Sequence, residues 1–195
     1  KPLSTPIDST YGHLQPQALD IEKVVLGALM IDKDAFSVIS EIIRPETFYD
    51  PKHQKIYNAV QTLNMNEHPV DIMTVTDQLK KDGTLDAVGG AAYIVELSSN
   101  VASSANIEYH ARILAQKFLA RQLISFASVI ETKAFDETID VEELMQEAEG
   151  SLFELSQRNM KKDYVQVDPV ITRAMEILKN PWRMMVGLPA GQPGI

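Results

Sequence analysis

The chain contains no cysteine, so it can form neither a disulfide framework nor a cysteine-based zinc site. It also has no uninterrupted apolar run near the roughly 18 residues that a membrane span needs. No basic segment followed by an apolar one opens the chain, as a signal peptide would. These absences predict a soluble protein of the cytoplasm that has no membrane partner.

Clustered positive charge is scarce as well. The chain has 18 Lys and Arg residues against 27 Asp and Glu residues, and its formal net charge is -9. Phosphate groups are bound chiefly by clustered basic residues, so this balance disfavours direct binding of nucleic acid. The longest basic cluster is Lys161-Lys162, and Asp163 follows it directly, which weakens a nucleic-acid interface further.

Motifs for catalysis and cofactor binding are absent from the sequence. A nucleotide-binding loop has the pattern G-x-x-x-x-G-K-[ST], but the glycine-rich stretch 187–191 has no Lys after its last Gly. No G-x-S-x-G elbow accompanies the serines. No two histidines are spaced at i, i+4, so a metal site would need distant carboxylates. We therefore predict no catalytic residue, no cofactor and no metal in this chain.

Several polar residues have simpler structural interpretations. The acids in and after the first helix could act as paired catalytic carboxylates, but helix caps and solvated helix faces explain them more simply. These acids are Asp20, Glu22, Asp32 and Asp34. His53 is expected in the first turn of a helix as a packing or hydrogen-bonding residue. Gly89-Gly90 is expected to form a turn before the next helix rather than a ligand site.

Residues 14–102 predict a compact all-α head, because their apolar residues recur at helical spacing between explicit starts and stops. Asp50-Pro51 and Asp71 each place a capping residue ahead of an apolar stripe, and Gly83 ends the second of these helices. The helix before them should run to Arg44-Pro45, since the residue before proline avoids the helical region. We expect the head to bury Leu26, Phe48, Ile56 and Tyr57.

Residues 103–156 predict an antiparallel helical hairpin. Neither Pro nor Gly interrupts the stretch from Ser104 to Thr132, and its apolar residues recur as on one long amphipathic helix. Asp140 and Glu143 form an acidic capping box that starts a second helix. The hairpin core should contain Leu119, Leu123, Phe126 and Ile130. The same stripe could also bind a partner, because two helices cannot bury all their apolar side chains between themselves.

The remaining residues are expected outside the head and the hairpin. Residues 1–13 mix Pro, Ser, Thr and Gly without an apolar period, which predicts a flexible arm. Residues 157–180 predict a polar linker followed by a linker helix that starts at Asp168-Pro169, and residues 181–195 form a tail. A helix this short needs a surface on which to dock. Its contact residues should be Ile171, Met175 and Leu178.

A spaced set of residues continues without a break from about Leu14 to about Arg121. In order, its members are Glu22, Leu26, Gly27, Pro45-Glu46-Thr47-Phe48-Tyr49, His53, Ile56-Tyr57, Asp71, Gly83, Gly89-Gly90, Asn106, Tyr109, Arg112 and Arg121. This order and spacing resemble the N-terminal domain of the DnaB family of bacterial replicative DNA helicases.

The resemblance implies a helical head and a hairpin that pair with other copies into a collar on one side of a hexameric ring. It also implies primase as a partner of the collar, with the hairpin contributing. In such helicases ATP hydrolysis, with its magnesium ion, and strand translocation belong to the RecA-like C-terminal domain. The parent protein would therefore be an ATP-dependent enzyme that contacts DNA through its ring. The 168–179 helix resembles the family's linker helix, whereas the tail departs from the expected start of the motor domain.

Two functions from different classes follow as hypotheses. The first is an interaction module that assembles helicase subunits and recruits primase, with no chemistry of its own. The alternative is a small helical DNA-binding or regulatory protein, against which the acidic charge and the missing basic recognition helix argue. For the interaction module, helical phase suggests Arg121 and Glu142 as exposed interface positions near the hairpin.

Overall fold

The computed structural model describes residues 14–101 and 103–163. Within these residues there are seven α-helices and no strand, which confirms the predicted all-α class. The helices are α1 (Leu19–Ile31), α2 (Ala35–Ile39), α3 (Pro51–Met65), α4 (Ile72–Lys81), α5 (Gly90–Ser99), α6 (Ile107–Ala134) and α7 (Val141–Asp163). Short 3₁₀ turns at Pro45–Thr47 and Asp86–Val88 precede α3 and α5.

Three predicted parts of the chain lie outside the described residues. They are the arm at 1–13, the linker helix with Ile171, Met175 and Leu178, and the tail at 181–195. The chain divides after Leu152 into two units. The first unit contains the head, α6 and the first half of α7, and the second contains the rest of α7.

The starts of three helices follow local capping chemistry. The carboxylates of Asp50, Asp71 and Asp140 accept hydrogen bonds of 2.8 to 3.2 Å from backbone N–H groups in the first turns of α3, α4 and α7. These N–H groups have no partner within their own helix, so a carboxylate at this position satisfies them. The predicted starts of α3, α4 and α7 are confirmed.

Two helix ends differ from the prediction. α2 ends at Ile39 instead of continuing to Arg44-Pro45, because the chain turns through bonds from the Ile42 and Ile43 N–H groups to the Ile39 carbonyl. This turn brings Ile43 into the core. α7 continues to Asp163, where a polar linker was expected from Gln157. No Gly or Pro interrupts 151–163, and its polar residues are compatible with a helix.

The head has one apolar core with α1 at its centre. α1 packs against α3, α5 and α6, and an aromatic pair fills the space beside it, with the Phe48 and Tyr57 ring centroids 5.2 Å apart. Each of the four residues expected in this core is at most 1% exposed. They are Leu26, Phe48, Ile56 and Tyr57.

α1 and α5 come into very close contact at Gly27. A Cβ atom at this position would lie 2.1 Å from the Leu97 carbonyl oxygen and 2.4 Å from Cγ2 of Val101. Both distances are shorter than van der Waals contact. The backbones of α1 and α5 can therefore approach this closely only if the residue at position 27 is glycine. Gly27 therefore sets the distance between the two helices.

α6 packs on the head through its first half. Ile107, Ala111 and Leu114 are buried in the head core. Beyond them, Leu119, Phe126 and Ile130 are half-buried. The prediction that Leu123 lies in the hairpin core is wrong, because its side chain is 41% exposed. A single neighbouring helix can cover only one side of α6.

By length and composition alone, α6 is long and apolar enough to cross a membrane, and it is the one such helix among the described residues. The criterion of an uninterrupted apolar run misses it, because polar residues interrupt the helix. A mostly buried core helix of a soluble protein meets the same requirement of length and composition, but only 6% of the qualifying stretch of α6 is buried. The buried side chains in its first half attach α6 to the head.

Candidate interaction site

Residues 44–50, which we call the connector, lead from the α2 region into α3. The connector begins with a closed turn, in which the Arg44 N–H donates to Oγ1 of Thr47 at 3.0 Å and the Thr47 N–H donates to the Arg44 carbonyl at 2.9 Å. Pro45 presets the backbone of this turn. Thr47 and Phe48 are buried, so the connector is anchored in the core.

α1 contributes a buried carboxylate, Glu22, that holds the end of the connector. Its Oε1 accepts a hydrogen bond from the Tyr49 N–H at 2.5 Å, and its Oε2 accepts one from the Asp50 N–H at 3.3 Å and lies 2.6 Å from Nδ1 of His53. These donors stand at the N-terminus of α3, where the helix dipole favours negative charge. Glu22 is 1% exposed, so its interpretation as a solvated acid is wrong.

His53 extends this polar network to α5. Its Nε2 lies 2.7 Å from the Tyr93 hydroxyl, and the two rings are parallel within 2°. His53 thus bridges the Glu22 carboxylate and the Tyr93 hydroxyl through its two ring nitrogens. Burial raises the pKa of Tyr93, and the charges of Asp50, Glu96 and Glu22 raise it further. The phenol of Tyr93 therefore stays protonated at neutral pH.

α6 reaches the same connector through Arg121. Nη1 of its guanidinium donates to the Pro16 carbonyl at 2.8 Å, and Nη2 donates to the Thr47 carbonyl at 2.7 Å. The Cζ atom lies 5.5 Å from the ring centroids of both Tyr49 and Phe118, a distance at which a cation is attracted to an aromatic face. One side chain thus joins α6, the connector and the segment before α1.

Arg121 is consequently a structural residue. Burial lowers the pKa of its guanidinium, and the charge of Glu22 acts in the opposite direction. The prediction of an exposed interface position is wrong for Arg121, because helical phase does not show that the connector passes beside α6. Glu142 is exposed in the first turn of α7, and its role in an interface stays a prediction. From Arg121 to the end of α6 is about 20 Å along the helix, so the two residues do not form one site.

The hairpin exposes apolar side chains on both of its helices. Across the connection between the helices, Lys133 of α6 pairs with Glu147 of α7, and Leu144 is buried. Among the exposed residues are Leu123, Ile124 and Val129 of α6 and Val141 and Met145 of α7, with exposed fractions from 41% to 73%. The amphipathic pattern predicted the long helix, but only the position of α7 shows which apolar residues remain uncovered.

Glu22, His53, Tyr93 and Arg121 are bonded to one another or to the backbone. Among the described residues, no cluster of three or more His, Asp and Glu side chains could hold a metal ion. The network ties helices together, and the exposed apolar residues of the hairpin are the part of the site that another protein could contact.

Comparison with known sequences places this fold among helicase domains. Residues 14–116 match the family described as DnaB-like helicase N terminal domain. Over 184 residues the chain is 38% identical to the replicative DNA helicase DnaB of Rhodothermus marinus, covering 94% of this chain and 19% of that protein. It is 35% identical over 182 residues to the replicative DNA helicase DnaC of Bacillus subtilis (strain 168), covering 92% of this chain and 40% of that protein. The chain therefore spans well under half the length of these relatives.

Solved structures show the same fold. The crystal structure of the N-terminal domain of DnaB helicase from Mycobacterium tuberculosis is 35% identical in sequence, with a TM-score of 0.69. The similarity covers 72% of this chain and 99% of that one. A structure of a DnaB-like replicative helicase and its interactions with primase has a TM-score of 0.63 at 23% identity, covering 83% of this chain and 35% of that one. At that identity the second structure supports the shared fold alone.

Proposed function

Because this chain belongs to the family of DnaB-like helicase N-terminal domains, we propose that it is the assembly and docking part of a replicative DNA helicase. Copies of the chain associate through their heads or hairpins, and the hairpin offers a surface to primase. The names of the curated relatives support this role. In this proposal the chain supplies contacts and leaves the chemistry to other parts of the whole protein.

The exposed apolar residues of the hairpin are the observation that carries the proposal. Exposed apolar side chains are candidates for contact with a partner, and burial of apolar area contributes about 25 cal/mol per Å². A second copy of the chain is a suitable partner, because the same face on two copies can form a symmetric contact in which each covers the other.

The whole helicase would bind ATP and magnesium and unwind DNA in the cytoplasm. This part of the proposal rests on the relatives, which are replicative DNA helicases. This chain has no phosphate-binding loop, so the nucleotide site belongs to another part of the whole protein. The net charge of -9 fits contact with DNA through the ring rather than through this chain.

Polar substitution of the exposed hairpin face should weaken self-association. The double variant Leu123→Ser with Val129→Ser removes two apolar side chains that are 41% and 48% exposed, and circular dichroism checks that the helices remain folded. We expect the dissociation constant of the oligomer to rise at least about tenfold, which corresponds to about 1.4 kcal/mol. Light scattering across a range of protein concentrations measures this change.

The control changes two apolar side chains on the head that are more exposed than the hairpin pair. Met65 and Met73 are 77% and 79% exposed, and their replacement by Gln should leave the association unchanged. A chain that stays monomeric at every concentration would contradict the assembly function. If both pairs of substitutions weakened self-association equally, the hairpin would not be the specific contact surface.

Charge reversal at Glu142 should weaken primase binding while leaving the fold intact. The side chain is exposed, and a charge at the rim of an interface acts mainly on the association rate and its salt dependence. We expect Glu142→Lys to reduce the affinity several-fold, measured by fluorescence anisotropy with labelled primase. Glu41→Lys, at an exposed position on the head, serves as the control. Docking would move to the head if only the control variant lost affinity.

A further inference from the structure

α6 is packed on the head at its N-terminal end only. Its buried residues Ile107, Ala111 and Leu114 all lie in the first half, and beyond Arg121 the apolar residues Leu123 and Ile124 are exposed. Arg121 therefore stands where the helix leaves the head. From this point α6 continues for another 13 residues, or about 20 Å at 1.5 Å per residue.

The guanidinium of Arg121 donates hydrogen bonds to two backbone segments that are far apart in sequence. Its carbonyl partners, Pro16 and Thr47, are 105 and 74 residues away from it. A planar guanidinium can donate to both carbonyls in fixed directions, whereas the three donors of a lysine ammonium rotate freely on a flexible stem. The two bonds therefore constrain the direction of α6 as well as its distance from the head.

The anchor on the connector is itself held in place. Thr47 is buried, and the N–H groups of Tyr49 and Asp50 are bonded to the buried carboxylate of Glu22. Arg121 thus ties α6 to a point that α1 fixes from the other side. A bond to a mobile surface loop would not constrain the helix in this way.

We propose that Arg121 is a positioning residue that sets the direction in which the hairpin leaves the head. The consequence for assembly rests on the proposed function, since the direction of the hairpin decides which faces of two copies can meet. A tilt of about 10° at Arg121 moves the far end of α6 by about 3–4 Å. Such a displacement is large enough to misalign a packed interface.

The absence of cysteine from the chain permits a direct measurement. Lys55→Cys on α3 and Ala134→Cys at the end of α6 place two spin labels at exposed positions, one on the head and one on the hairpin. Double electron–electron resonance spectroscopy then gives the distribution of distances between the two spin labels. Labelled protein is diluted into an excess of unlabelled protein, so that the distance measured lies within one chain.

We expect a narrow distribution with Arg121 and one broadened or shifted by about 3 Å or more in Arg121→Met. Arg112→Met, which removes an arginine paired with Glu108 on the surface of the same helix, should leave the distribution narrow. Arg121→Lys retains the charge but loses the planar guanidinium that donates in fixed directions, so it should also broaden the distribution. If circular dichroism shows that Arg121→Met does not fold, the distance distribution of Arg121→Lys tests the proposal instead.

An unchanged distribution in the folded Arg121 variants would overturn the proposal. Broadening of the same size in Arg112→Met would also overturn it, because the effect would then not be specific to the bonds with the connector. The measurement does not depend on self-association. An unchanged distance distribution would therefore not contradict the assembly function. Conversely, a monomeric chain whose Arg121 variants show a broadened distance distribution would support the positioning role without the assembly function.

Discussion

Replacement of Gly27 by alanine is expected to destabilise the head by about 3 kcal/mol. The new Cβ would meet the Leu97 carbonyl oxygen at 2.1 Å, and this oxygen belongs to the backbone of α5, so it cannot turn away as a side chain could. α1 and α5 must separate, which loosens the core around both. Urea unfolding, followed by circular dichroism, measures the loss as a lower midpoint with an unchanged slope.

Gly150 provides the matched control for this substitution. It lies in α7, and a Cβ there would meet nothing within 4 Å. Gly150→Ala should therefore stabilise the chain slightly, by up to about 1 kcal/mol, because alanine has the higher helix propensity. A Gly27→Ala protein with the stability of the unchanged chain would show that α1 and α5 are farther apart than the structure places them.

Removal of the Glu22 carboxylate is expected to cost about 3–5 kcal/mol of stability. In Glu22→Ala the N–H groups of Tyr49 and Asp50 and the Nδ1 of His53 lose their acceptor. Their site is closed to water, since Glu22 and His53 are each 1% exposed. Unpaired buried donors carry their full desolvation penalty, so the loss should exceed that of a surface charge.

Asp20 is the control, because it is an exposed acid on the same helix. Asp20→Ala should cost less than about 1 kcal/mol, the range of a charge near a helix N-terminus. Denaturant unfolding of both variants gives the comparison. Equal losses would mean that Glu22 is hydrated in solution and that the connector does not depend on it.

Helix starts and turns that depend on residues close together in the chain could be predicted from the sequence. The starts of α3, α4 and α7 depend on Asp50, Asp71 and Asp140, whose carboxylates bond to N–H groups only two or three residues away. The turn at Gly89-Gly90 is equally local, since both glycines have positive φ angles of 104° and 73°, a region that other residues rarely adopt. The helix order and the all-α class follow from such signals.

The sequence by itself determined the order of the helices, the capped starts of α3, α4 and α7 and the family resemblance, because these depend on neighbours along the chain. The ends of α2 and α7 did not follow from it. Only the tertiary structure decided the roles of Glu22, Arg121 and Leu123. The partners of Glu22 lie 27 to 31 residues away, and helical phase cannot show whether a given face meets another segment or remains uncovered. Glu22 is thus a buried acceptor, Arg121 a tie between hairpin and head, and Leu123 part of an open apolar face, because burial depends on which distant segments pack together.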